Sequence, residues 1–471
     1  MRFPHPLALL VGAVLVAAAL SWILPAGEYD RRQDEATGRT VVVSGTYHHV
    51  ARTPVGAFQA IVAVPKGMAD AASVIFLVFL IGGAFTVVDR TGALRHGVDA
   101  LVRLLGDRRI LAIPIACVAF ATAGALENMQ EEIIALIPVL LLLTRRMGYD
   151  ALTAVAMSLG AAAVGAAFSP VNPFQAVIAQ KLAGLPALSG AAFRLVVLGV
   201  ALAAWIWWTM RHARRSLVAE TANAANTANT ADATSARESA DATTDAAATA
   251  GTRESSARGA RSAIVLALVL VAFAIFIYGI LRLGWDFDQM SALFFAMGVL
   301  AGLVAGLGVT GTAEAFVDGF RSMAYAGLLI GFARAIFVVL QEGHIIDTIV
   351  HGLFAPLAGL PVAVSAVVMM VVQTAVHVPV PSVSGQAALT MPVVTPLSDL
   401  LGLSRQVSVL AYQGGAGLCD MWTPTNGALM AILAAAEVRY GRWLRFLLPA
   451  YAMLFGIGVV AMLVGIAIGL R

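Results

Sequence analysis

A hydrophobic helix interrupted at Ser/Thr-Pro-x-Asn occurs twice in this chain, at Ser169-Pro170-Val171-Asn172 and at Thr423-Pro424-Thr425-Asn426. No other feature limits the fold as much. Proline removes a backbone donor and clashes with the preceding turn, so each motif ends one helical segment and starts another. Inside a bilayer such a break is tolerated only where it is buried in protein or faces a wet cavity, because unpaired amides in hydrocarbon are costly. The surroundings repeat as well: Pro138 and Pro392, Gly148 and Gly402, Pro170 and Pro424, and Asn172 and Asn426 each lie 254 residues apart. Matches at one fixed offset argue for duplication. Gly/Pro-interrupted hydrophobic segments at corresponding places in two halves are the sequence pointer to a transporter's substrate site.

The bilayer is implied by composition. The chain has 471 residues, is 60% hydrophobic and 12% charged, and contains several apolar runs that match a ~30 Å hydrocarbon core. The fold class expected is an all-α polytopic membrane protein. A net charge of +3 is too small to suggest a nucleic-acid partner, so the placement of Lys and Arg carries the information instead. Cys117 and Cys419 sit in apolar helical context and read as small buried residues, with no disulfide framework and no metal-ligand spacing. Met1 to Leu24 has the outline of a signal peptide, yet the run is long and the rest of the chain is membranous. It reads as a retained first crossing with the N-terminus in the cytoplasm.

Residues 1–210 form the first repeat: a crossing at Leu7–Leu24, an aqueous loop, an interfacial helix over 53–70, a crossing over 71–89, a hairpin over 110–145, a broken helix over 151–183 and a crossing at Phe193–Met210. Arg90, Arg95, Arg103, Arg108 and Arg109 make the segment before the hairpin basic, hence cytoplasmic. Two full spans would also bring Arg145 and Arg146 back to that side, but would expose Glu127, Glu131 and Glu132 on the other. A re-entrant hairpin is the preferred reading. Trp205, Trp207 and Trp208 read as an interfacial belt. Residues 211–261, rich in Ala, Thr, Asn and Ser, have no apolar periodicity and read as a disordered cytoplasmic linker. Residues 262–289 give an extra crossing and a short loop.

The second repeat, 290–471, carries a crossing at Met290–Gly308, an interfacial helix at Thr310–Tyr325, a crossing at Ala326–Leu340, a hairpin over 362–401, a broken helix over 405–437 and a last span. Between Gln341 and Leu360 there is no Lys or Arg, so that segment is expected outside. Five crossings precede the second copy, an odd number that inverts it. The plan is two inverted-topology repeats with about nine crossings, two re-entrant hairpins and two broken helices.

Phe3-Pro4-His5-Pro6, Leu24-Pro25-Ala26-Gly27-Glu28-Tyr29, Glu131-Glu132, the run Ser384 to Pro392 and Thr423-Pro424-Thr425 resemble the YfcC-like branch of the anaerobic dicarboxylate carrier family, in the ion transporter superfamily. The resemblance covers nearly the whole chain except the linker. It implies an elevator-like motion, a homodimer and a bacterial inner-membrane location. Members of the branch are described as dicarboxylate carriers or as basic amino acid antiporters. The superfamily's sodium symporters carry Ser-Asn-Thr at each hairpin tip, where this chain has Gln130-Glu131-Glu132 and Ser384-Gly385-Gln386.

A half-helix N-terminus at each break offers free N–H groups to a carboxylate, and exposed carbonyls suit a cation. Substrate contacts are expected from Asn128, Glu131, Glu132, Asn172, Ser382, Ser384, Gln386, Thr423, Thr425 and Asn426. The coupling ion, Na+ or H+, is expected at Glu131, Glu132, Ser169 and Asp420, since intramembrane acids are functional hypotheses by default. Blander readings stand beside these: each Asn as a cap repairing its own break, the tip acids as solvated bystanders, His377 as a packed residue, and Gly82, Gly83 and Gly331 as close-packing positions. The chain lacks a nucleotide-binding motif, HExxH and an intramembrane Ser/His/Asp set. A non-enzymatic secondary active transporter without cofactor is the expectation, moving a small dicarboxylate or amino acid among membrane lipid. The alternatives are a basic amino acid antiporter and, from another class, a channel or membrane-embedded binding protein.

Overall fold

In hydrocarbon every backbone N–H and C=O must find a partner within the chain, and the apolar runs meet that demand as helices. The computed structural model describes residues 5–34, 39–93, 110–127, 129–186, 188–235, 251–283, 285 and 287–470. Among the described residues five helices are long and apolar enough to cross a membrane: Ala72–Arg90, Ala191–Leu217, Phe287–Ala305, Gly308–Glu342 and Tyr440–Ala467. Shorter apolar helices, among them Leu7–Ile23, fill the space between them.

The stretches read as hairpins and broken helices are paired and interrupted helices. The first hairpin has arms Ala112–Glu127 and Ile133–Arg146, and the second Val362–His377 and Val383–Leu400. The second broken helix runs Arg405–Cys419, breaks, and resumes at Gly427–Ala435. The first is less regular: Ala151–Val155, a π-helical turn Ala156–Gly160, then Ala161–Ala167, the break, a second π-helical turn Pro173–Val177 and Ile178–Leu182. Each hairpin's first arm lies against the first half of its own broken helix. Backbones touch there: a Cβ on Gly165 would overlap the Ala121 carbonyl, and one on Gly415 would lie 2.5 Å from the Met370 carbonyl oxygen.

Three sequence expectations are corrected. Thr310–Tyr325 is not a separate interfacial helix but the first half of one continuous helix, Gly308–Glu342, because neither proline nor a capping residue interrupts it. Ala57–Asp70 packs along that helix, where Gly67 and Gly331 leave no room for side chains, and Gly82 and Gly83 meet it in the same way. Trp205 is not part of a surface belt. It is fully buried over Gly160 and its Nε1 donates to the Ala156 carbonyl at 3.0 Å, in the turn where the π-helical backbone shifts the usual pairing. The linker is helical at both ends, since Ala191–Ser235 and Gly251–Leu283 are single helices, in keeping with its alanine content. The basic segment 94–109 lies outside the described residues.

The polar segment after the first helix forms two short antiparallel pairs, Gly27–Glu28 with His48–His49 and Arg31–Asp34 with Arg39–Val42. Buried Asp347, on Ile346–Phe354, fastens it by accepting from the Tyr29 amide at 2.9 Å and from Arg31 at 2.9 and 3.0 Å. Burial and the Asp347 charge push the Tyr29 hydroxyl up to about 12.

Candidate functional site

Both hairpin tips and the second break converge on one cavity of about 540 Å³, within the range of small-molecule sites. Gln130, Glu131 and Glu132 line it from the first tip, Pro381 to Ser384 from the second, and Asp420, Thr425 and Asn426 from the break. Asp70 and Arg334 also line it and pair with each other. A second cavity, about 530 Å³, lies under the polar segment and shares Arg334, Pro381 and Ser382 with the first. Those three residues partition the two spaces.

The second break holds the densest polar network. Asn426 caps its own half-helix, its Oδ1 accepting from the Leu429 amide at 3.0 Å. Its Nδ2 donates to Asp420 Oδ1 at 2.7 Å and to Gln130 Oε1 at 2.8 Å, and Gln130 Nε2 donates to Asp420 Oδ2 at 2.8 Å. Asp420 is thereby joined to the first tip. It also meets His377 Nε2 at 2.8 Å, while His377 Nδ1 meets Gln386 Oε1 at 2.7 Å. Gln386 Nε2 donates to the Gln373 carbonyl at 2.8 Å. Thr425 donates to the Val378 carbonyl at 2.6 Å, so the proton in its 2.7 Å contact with Thr423 comes from Thr423.

The first break is different. Ser169 donates to the Ala125 carbonyl at 2.7 Å and accepts from the amides of Val171 and Asn172. Asn172 donates to the Gly124 carbonyl at 2.8 Å, and its Oδ1 accepts from the Phe174 and Gln175 amides at 2.9 Å. Both side chains are fully buried and turned to their own hairpin. They repair the break and do not line the cavity.

Of the residues read from sequence, the structure brings Glu131, Glu132, Ser382, Ser384, Asp420, Thr425 and Asn426 to one cavity wall. Ser382 also caps Val383–Leu400. Gln386 and Thr423 are fully buried behind that wall, Ser169 and Asn172 stand apart at the first break, and Asn128 lies outside the described residues. Sequence reasoning passed over Gln130 as a ligand of Asp420, the Arg334–Asp70 pair, and His377 as a bonded partner. A signal was available: Gln373 and His377 on one arm, and Gln386 and Thr390 on the other, are polar at i, i+4 in apolar helices.

Several long apolar helices together with a cavity lined by acids at a helix break mark a multi-pass membrane protein of the transporter class. Residues 3–467 match the C4-dicarboxylate anaerobic carrier (DcuC) family, and the chain belongs to it. It is 30% identical, over 96% of its length and 94% of the relative's, to the Escherichia coli (strain K12) protein named "Putative basic amino acid antiporter YfcC". It is 27% identical, over 99% and 97%, to an uncharacterized protein of Haemophilus influenzae. Among solved structures it is similar to the YdaH transporter of Alcanivorax borkumensis (19% identity, 99% of each chain, TM-score 0.42). It is also similar to Neisseria gonorrhoeae MtrF (15% identity, 98% and 95%, TM-score 0.38). At those scores the likeness says nothing about individual helices here.

Proposed function

We propose that this protein is an ion-gradient-coupled secondary transporter that moves a small amino acid bearing both carboxylate and ammonium groups. One observation supports this reading above the others. The described lining of the central cavity carries Asp70, Glu131, Glu132 and Asp420 against a single cation, Arg334. A plain dicarboxylate would meet net repulsion, whereas an ammonium group would meet acids poorly screened by water at that depth. Arg334 suits the carboxylate end. The name of the Escherichia coli relative agrees with basic amino acid exchange.

In this reading the two copies are inverted repeats in a bacterial inner membrane, with the N-terminus cytoplasmic and about nine crossings. The hairpins and broken helices form a transport domain that moves, elevator-like, against the remaining helices of a homodimer. Uptake of lysine, arginine and succinate into proteoliposomes, under separate sodium and proton gradients, tests the solute. Succinate uptake without lysine or arginine uptake would sink the assignment. Cysteines near Gly106 and Thr144 should be labelled from the cytoplasm and those near Leu360 and Leu403 from outside. Opposite-side labelling within either pair would rule out re-entrant hairpins.

A further inference from the structure

The amides around His377 can be oriented without ambiguity, because backbone groups anchor them. The Gln373 carbonyl can only accept, so the Gln386 group 2.8 Å from it is the NH2. Gln386 therefore turns its oxygen to His377 Nδ1, which must carry a hydrogen. On the other side the Leu429 amide can only donate, so it fixes Asn426 Oδ1 and leaves Asn426 Nδ2 facing Asp420 Oδ1 and Gln130. Gln130 must answer with its oxygen, and its NH2 then points at Asp420 Oδ2. Asp420 thus receives a donor on each oxygen, the environment of an ionised carboxylate. The remaining contact, His377 Nε2 to Asp420 Oδ1 at 2.8 Å, requires a hydrogen as well. Amide donors on both carboxylate oxygens favour the anion over the acid, which puts this hydrogen on Nε2 and makes the ring an imidazolium.

We propose that the His377–Asp420 contact is the binding site of the coupling proton. The pair is buried and joins three elements: the second hairpin, the second break and, through Gln130, the first tip. The titratable and charged groups around it are Glu131 and Glu132 on the first tip, Arg334 and Asp70 in the cavity lining, and Cys419 with Tyr440 and Tyr451 behind the break. When the Nε2 proton leaves to water in the cavity that Asp420 lines, two acceptors face each other at 2.8 Å and the contact must open. An ammonium group arriving there replaces the lost positive charge. Proton and cationic solute therefore compete for Asp420, which is exchange. This coupling role rests on the transport reading above; the charge state of the ring does not.

Solid-state NMR of 15N-histidine protein in lipid at pH 7.5 reads the ring directly. His377 is assigned by its loss in His377→Gln. The expected result is a doubly protonated ring that is lost in His377→Gln and converted to a neutral ring in Asp420→Asn, distinct from any signal of His212 and His344, which also meet carboxylates. If neither variant folds, a His48→Gln/His212→Gln/His344→Gln variant, which removes the other histidines that face a carboxylate, must still show the doubly protonated ring. Only neutral rings in that variant, or an imidazolium signal that persists in His377→Gln with none lost, would overturn the site. In proteoliposomes with a trapped pH indicator and zero membrane potential, arginine entry should drive proton exit, lost in Asp420→Asn. Arginine entry without proton exit would overturn the coupling role, and failure of any tested solute to move would overturn the transport reading while the spectrum still judges the site.

Discussion

The two breaks share a proline, a capping asparagine and a fixed spacing, yet they have diverged in chemistry. At the first, Ser169 and Asn172 bond to carbonyls of the adjacent hairpin arm, and the position 254 residues before Asp420 is Ala166. At the second, the same cap also holds a carboxylate, which in turn holds a histidine and the opposite tip. Of the two interruptions, one is turned to its own hairpin arm and the other opens onto a cavity. A repeated motif in a membrane chain therefore locates a scaffold before it locates a site.

The sharpest challenge to that contrast is Asp420→Ala. It leaves the His377 proton without its anion, and breaking a buried pair in this way costs about 3–5 kcal/mol. A lowered unfolding midpoint in detergent, together with lost transport, is expected. A variant as stable as wild type would mean that the pair is not charged.

Next is acid. The first broken helix starts at Asp150, which accepts from the Thr153 amide at 3.0 Å and meets His212 at 3.1 Å and Arg442 at 2.8 Å. The second starts, 254 residues later, at Ser404, whose cap does not ionise. Burial opposes the charge of Asp150, but hydrogen bonds from His212 and Thr153 and the His212 charge outweigh it and bring its pKa down to about 2. A depressed carboxylate stabilises the fold fully above its unfolded value of ~3.9 and loses that contribution as pH falls toward the folded value, here a loss on the order of 2 kcal/mol. Stability should fall between roughly pH 4 and 2, and Asp150→Asn should remove most of that slope. An unchanged slope would show that other acids govern it.

Smaller effects separate the two caps. Asn172→Ala should cost about 1–2 kcal/mol of stability and leave solute affinity alone, while Asn426→Ala should cost about as much and weaken binding too. Equal loss of binding in both would erase the distinction between the breaks. Least of all, Glu131→Gln and Glu132→Gln should each weaken arginine binding about tenfold, about 1.4 kcal/mol, with little effect on the unfolding midpoint. Wild-type affinity in both would leave the tip acids as bystanders.

The hairpins and breaks were legible because proline and asparagine act within a turn of where they stand, as at Pro170 and Asn426. The continuity of Gly308–Glu342 was not, since its polar first half was read by analogy with the Pro65-bearing helix of the first copy. The site was half legible. Asp420 and Asn426 lie beside the break, whereas Gln130 reaches Asp420 from 290 positions away and His377 from 43. Such contacts are set by how helices stack, and local pattern carries no trace of them. Trp205 was misplaced for the same reason, since a tryptophan at a membrane interface and one filling the space above Gly160 look alike in sequence.

The π-helical turn at Ala156–Gly160 has a consequence for how the gene can change. Such a turn is one residue longer than the α-helical turn it replaces. Removing a single codon there would restore α-helical pitch and keep Asp150 and Asn172 in their present phase, at the loss of the Trp205 bond to Ala156. The same deletion within Arg405–Cys419, which is α-helical throughout, would rotate everything beyond it by about 100° and carry Asp420 away from His377. One broken helix can absorb a change in length, and the other is fixed to the residue.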